Sequence, residues 1–68
     1  MKDVGINVLL NGIKYALIMD DNMMYPLEVA HTVLRYEKNL KNSFMVITSS
    51  FSIKRNDIDK TVTIKFND

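Results

Sequence analysis

The first twenty residues place two apolar runs on either side of an Asn-Gly pair. Ile6-Asn7-Val8-Leu9-Leu10 leads into Asn11-Gly12, and Ile13 to Met19 follows. Both central residues of a type I′ turn need positive φ, which Asn and Gly tolerate, so the segment predicts a β-hairpin. A two-residue turn sets the register: Leu10 opposite Ile13, Val8 opposite Tyr15, Ile6 opposite Leu17, and Val4 opposite Met19. That face is apolar throughout, and a one-residue slip would turn it to water. The other face carries Asn7 and Lys14 but also Leu9, Ala16 and Ile18, which is more apolar than a solvated face requires.

Asp20-Asp21-Asn22-Met23-Met24-Tyr25 reads as a connector, with turn-forming residues first and large apolar ones second. Pro26 then begins a helix, where its missing N–H is no loss and its φ is already set. Glu28 in the first turn and Lys38 and Lys41 near the end complement the helix dipole. At about 100° per residue, positions 26–41 gather Val29, Ala30, Val33, Leu34, Tyr36 and Leu40 on one arc, with Leu27 at its edge. Glu28, His31, Thr32, Arg35, Lys38 and Asn39 fill the opposite arc, and Asn42-Ser43 end the helix. Glu37 falls inside the apolar arc. The expectation is that it pairs with Lys41 and reaches water past the sheet edge.

Phe44 to Arg55 alternates as one long strand, Asp57-Ile58 forms the tight turn within Asn56–Asp59, and Lys60 to Asn67 is the last strand. The matching register sets Ile53 opposite Val62 and Phe51 opposite Ile64, with Met45, Ile47 and Phe66 on the same side. Ser50, Ser52, Lys54, Thr61, Thr63 and Lys65 make the other, wet side. The whole chain, residues 1–68, thus reads as a single α+β domain of order ββαββ. It predicts a four-stranded, mostly antiparallel sheet with one helix packed on one face. A right-handed crossover over the first strand gives the sheet order 2-1-3-4.

Composition narrows what such a domain could do. At 68 residues a hydrophobic core supplies only about 3–5 kcal/mol. The chain has no cysteine, so neither a disulfide nor a thiolate zinc site can reinforce it. Good packing or self-association must serve instead. Hydrophobic residues at 47% and charged residues at 25% exclude a disordered chain. No apolar run approaches the roughly 20 residues of a membrane span, and Met1-Lys2-Asp3 does not open a signal peptide, so the expected location is cytoplasmic. The net charge of +1 divides into −2 over residues 1–30 and +3 over residues 31–68. That is neither an acidic DNA mimic nor a strongly electrostatic DNA binder. Lys, Asn and Ile are frequent and Arg is rare, the usage that AT-rich coding gives in many low-GC bacteria, their phages and some archaeal viruses.

The chemistry-bearing residues are few. There is one histidine, and the only glycines are Gly5 and Gly12. Neither a nucleophile with a neighbouring base nor a phosphate-cradling loop can be assembled, so the chain is expected to be no enzyme and to hold no cofactor and no metal. His31, between Glu28 and Arg35 on the polar arc, is expected to be solvated, and Asp20-Asp21-Asn22 lacks the alternating spacing of a calcium loop. Surfaces remain. Leu9, Ala16 and Ile18, with Met23, Met24 and Tyr25, form the candidate protein interface, because Met and Tyr are over-used there and exposed apolar patches mark partners. Arg35, Lys38, Lys54, Arg55, Lys60 and Lys65 form the nucleic-acid alternative, although sheet-based single-strand binders use aromatic platforms that the outward positions here lack. The leading expectation is a small non-catalytic protein-interaction module, self-associating as a homodimer. The chain is expected to be a phage or mobile-element accessory protein that binds a larger host protein and modulates it by inhibition. The alternative is a small nucleic-acid-binding or transcription-regulating domain, and a structural subunit is the third reading.

Overall fold

A computed structural model describes residues 2–20 and 25–67. Seven elements follow in order: β1 (Lys2–Leu10), β2 (Ile13–Met19), α1 (Pro26–Arg35), α2 (Glu37–Asn42), β3 (Met45–Ile47), β4 (Phe51–Asn56) and β5 (Thr61–Phe66). The strands form one mixed sheet of order β1-β2-β5-β4-β3. β2 and β5 run parallel, and the other neighbours are antiparallel. The α+β class is as expected. The strand count, strand order and single helix are not.

The first hairpin turns as its sequence directs. Asn11 and Gly12 sit at φ 53° and 78°, and Leu10 opposes Ile13 and Val8 opposes Tyr15. Farther from the turn the register departs from simple alternation, because Met19 opposes Lys2 rather than Val4. A bulge between Asp3 and Asn7 takes up the difference at Gly5, which has φ 74°. The Asp3 carboxylate accepts a hydrogen bond from the Gly5 N–H at 2.9 Å. Glycine is what this backbone shape favours, since side-chain-bearing residues are strained there.

Thr48-Ser49-Ser50 breaks the expected long strand in two. The Thr48 hydroxyl accepts hydrogen bonds from the N–H groups of Ser50 and Phe51, and the Thr48 N–H donates to the Phe51 carbonyl at 2.8 Å. Side chains of this type close local rings that compete with an extended ladder. The resulting tight hairpin opposes Met45 to Lys54 and Ile47 to Ser52. Met45 and Ile47 therefore lie on the polar face, and Val46 points inward in their place. At the β4–β5 turn the loop is residues 57–60, not Asp57-Ile58 alone. Asn56 Oδ1 accepts from the N–H groups of Ile58 and Asp59 at 3.0 Å, and Lys60 turns left-handed at φ 56°. Ile53 consequently opposes Ile64, and Arg55 opposes Val62. This two-residue shift leaves every side chain of β4 and β5 on its expected face.

The extra reversal also explains the strand order. Because β4 runs back along β3, the next hairpin returns β5 parallel to β2. Val62 and Ile64 of β5 are fully buried, which suits a central strand. The helical segment breaks at Tyr36, whose φ of −103° and ψ of 18° leave the helical region. Its N–H bonds to the Val33 carbonyl at 3.0 Å, a tighter turn that ends α1 and lets α2 start on a new axis. α1 buries Val29, Ala30 and Val33, and α2 buries Leu40. With Val8, Leu10, Tyr15, Leu17, Met19, Ile53, Val62 and Ile64 they form the core on one face of the sheet. Leu34, placed in the apolar arc by a single straight helix, is exposed. Glu37 is redirected by the same break and accepts a hydrogen bond from the Asn11 N–H at 2.9 Å. It ties the helical layer to the first hairpin turn, rather than reaching for Lys41. No described helix is long and apolar enough to cross a membrane.

Candidate interaction surface

The helices cover one face of the sheet, and among the described residues nothing packs over the other. One row of side chains crosses all five strands on that open face: Asp3, Ile18, Thr63, Lys54 and Met45. Beside it, Ala16 opposes Thr61 and Asn7, while Lys65 and Ile47 flank Ser52. A shallow groove of about 520 Å³ runs over β5 and β4, floored by Ser52, Thr61 and Thr63 and bounded by Ile18, Met45, Lys54 and Lys65. The hydroxyls keep this floor wet, while the rim mixes apolar Ile18 and Met45 with Lys54 and Lys65, whose stems can lie along it with their ammonium groups in water.

The proposed interface residues divide between the two sides of the sheet. Leu9 is 58% exposed on the open face, and Ala16 and Ile18 are half-buried on it. Tyr25 is exposed at the start of α1, in the helical layer, and so does not join them. Met23 and Met24 lie outside the described residues.

The basic residues are scattered as well. Lys54 and Lys65 border the groove, and neither forms an ion pair among the described residues. Arg35 and Lys38 belong to α1 and α2 on the opposite side. The Lys60 ammonium lies 5.9 Å from the Tyr15 ring centroid, on the core side.

Arg55 points to the core side and is enclosed by fixed groups. It donates to the Leu40 carbonyl at the end of α2, pairs with Asp57 at 2.9 Å, and lies 4.7 Å from the Phe44 ring centroid. The Tyr15 hydroxyl donates to the same Asp57 carboxylate at 2.6 Å. That hydrogen bond, aided by Arg55, holds the Asp57 carboxyl below its usual range, and it pushes the Tyr15 phenol up together with burial. The group latches the β4–β5 turn to β2 and α2. Among the described residues no cluster of three His, Cys, Asp or Glu is placed to hold a metal, and His31 stands exposed on α1.

Four exposed apolar residues were not singled out by sequence pattern as surface features. Phe44 is 60% exposed, Ile47 73% and Ile58 94%, with Met45 beside them. Phe44 and Ile58 border a second hollow at the β4–β5 turn. A signal for the β3 group exists in the sequence: residues 42–53 contain no charged side chain. Searches against protein-family models, curated proteins and solved structures find no match to this chain.

Proposed function

We propose that the chain is a small non-catalytic interaction module that binds a larger protein through the open sheet face and modulates it, most simply by occluding it. The observation that carries this reading is the open face itself, where Ile18 and Met45 border a hydroxyl-floored groove, Leu9 and Ile47 stand exposed elsewhere on the same face, and none of the described residues packs over it. Apolar side chains interspersed with hydroxyls suit a non-obligate protein interface, which as a whole is only about as apolar as the rest of a protein surface. Phage-type inhibitors of host proteins work by such occlusion, and the Lys/Asn/Ile-rich composition agrees with that origin.

The test is a comparative pull-down from the native host with the wild-type chain, Leu9→Lys, Ile18→Lys and a His31→Ala control on the helical layer. A partner retained by wild type and the control but lost by both lysine variants supports the reading. A partner retained by all four removes it.

The nucleic-acid reading keeps one favourable observation, Lys54 and Lys65 beside the Ser and Thr hydroxyls. It loses Arg55 to the latch, and Arg35, Lys38 and Lys60 to the other side of the sheet. A gel-shift titration at about 50 mM salt, where counterion release favours binding most, separates the two readings.

A further inference from the structure

The outer edge of β3 carries a surface of its own. The Arg55 N–H donates to the Phe44 carbonyl and the Thr48 N–H to the Phe51 carbonyl, each at 2.8 Å. By antiparallel alternation Phe44, Val46 and Thr48 therefore direct their main-chain groups to β4, and Met45 and Ile47 direct theirs away from the sheet. The Ser43 hydroxyl donates to the Met45 carbonyl at 3.1 Å and receives the Met45 N–H at 3.4 Å. Nothing among the described residues takes up the outward groups of Ile47. Proteins guard such edges with charges, prolines or bulges, and β3 has none: residues 42–53 are uncharged in a chain that is 25% charged.

We propose that β3 pairs with β3 of a second copy, antiparallel about a two-fold axis at Val46, so that two five-stranded sheets become one continuous sheet. The inference rests on the strand edge alone and not on the reading of the open face. The occupant follows from self-complementarity. An axis at Val46 sets Met45 of each copy opposite Ile47 of the other. Each such pair exchanges both N–H···O bonds once the Ser43 hydroxyl gives up the Met45 N–H and carbonyl, on the order of four bonds in all. The same axis gathers both Met45 and both Ile47 side chains into one apolar cluster on the open face. Charge points the same way: an uncharged edge meets an uncharged edge without repulsion, whereas a charged strand would find no counter-charge on β3. Area sets the strength. A contact three residues long falls well short of the ~800 Å² per partner of a standard interface, so the dimer is weak and concentration-dependent.

Sedimentation equilibrium and amide hydrogen exchange across a concentration series test this on the full chain. The expected result is dimerisation in which the Ile47 amide becomes more protected as concentration rises. Ile47→Lys should weaken association at least about tenfold, and Leu9→Lys should leave it unchanged. A synthetic chain N-methylated at Ile47 loses only the outward donor, and it decides the matter should Ile47→Lys disturb the fold. A strict monomer at about 1 mM overturns the proposal, as does association that survives N-methylation. Neither outcome alters the pull-down result for the open face.

Discussion

The two edges of the sheet are protected in opposite ways. β1 is long, nine residues, and would be an inviting template for another strand if it were flat. It is not flat: Gly5 bulges, the Asp3 carboxylate folds back onto the Gly5 N–H, and Lys2 and Asp3 add charge at its start. β3 has no bulge and no charge, and beyond the Ser43 hydroxyl that covers the main chain of Met45 its protection among the described residues is its length of three residues. Geometry guards the long edge, and brevity limits the short one. A long guarded edge resists pairing outright, whereas a short bare edge pairs weakly and reversibly.

Both edges hang on the same central seam, so the largest expected effect comes from breaking it. Leu17 of β2 is fully buried opposite Val62 of β5. Leu17→Ala should cost about 2–5 kcal/mol, against a total stability of about 3–5 kcal/mol. Circular dichroism should find that variant largely unfolded at 25 °C. A well-folded Leu17→Ala would show that the seam does not hold the two edges together.

Gly5→Val addresses the guarded edge directly. Nothing lies within 4 Å of an added Cβ at Gly5, so the cost is conformational, about 1–3 kcal/mol for a β-branched residue held at positive φ. Urea denaturation measures it, and light scattering should detect new aggregation as the bulge straightens. Unchanged stability and solubility would mean that the bulge protects nothing.

The latch at the base of β3 predicts a subtler asymmetry. Tyr15→Phe removes the hydroxyl that holds Asp57, at a cost on the order of 1 kcal/mol. Phe44–Ile47 amides should then exchange faster while those of β1 keep their rates. The pH dependence has two arms. Asp57 titrates below its usual value when folded, so its contribution is present above the ordinary carboxylate pKa and is lost as pH falls through the lowered one. The Tyr15 phenol is raised, so its contribution is present below about pH 10 and is lost as pH rises through the raised value. Thermal melts of Tyr15→Phe should lack the alkaline arm and show a shallower acid arm. Identical profiles for the variant and wild type would dissociate the latch from stability.

The smallest effect is expected at Leu9. Leu9→Lys on the open face should change stability by no more than about 0.5 kcal/mol while abolishing partner capture.

What the sequence revealed follows from how local each instruction is. Asn11-Gly12, Pro26 and the alternation in β4 and β5 act within a few residues, and the hairpin, the helix start and the inward faces all follow from them. The strand order depended on one turn. Thr48-Ser49-Ser50 alternates with Phe51 and Ile53 well enough to pass for strand, and only the hydroxyl-closed ring reveals a reversal. Missing it inverted the faces of Met45 and Ile47 and displaced β5 from the centre of the sheet. The candidate surface was half legible for the same reason. Leu9, Ala16 and Ile18 flank a secure turn, while Met45 and Ile47 depend on the hidden one. Arg55 looked like a free cation because no local pattern announces a carbonyl 15 residues away.

The position of β5 has a consequence for how the chain is made. Its residues, 61–66, come last among the elements yet lie at the middle of the sheet, with Ala16 paired to Thr61. Until a ribosome has released them, the β1–β2 and β3–β4 hairpins have no strand between them, and the edges of β2 and β4 both stand open. Local hairpins form in microseconds, but closing a parallel pair across so much sequence is slow. The seam that joins the two hairpins therefore forms after both of them, and until it does the edges of β2 and β4 are the segments open to misassociation.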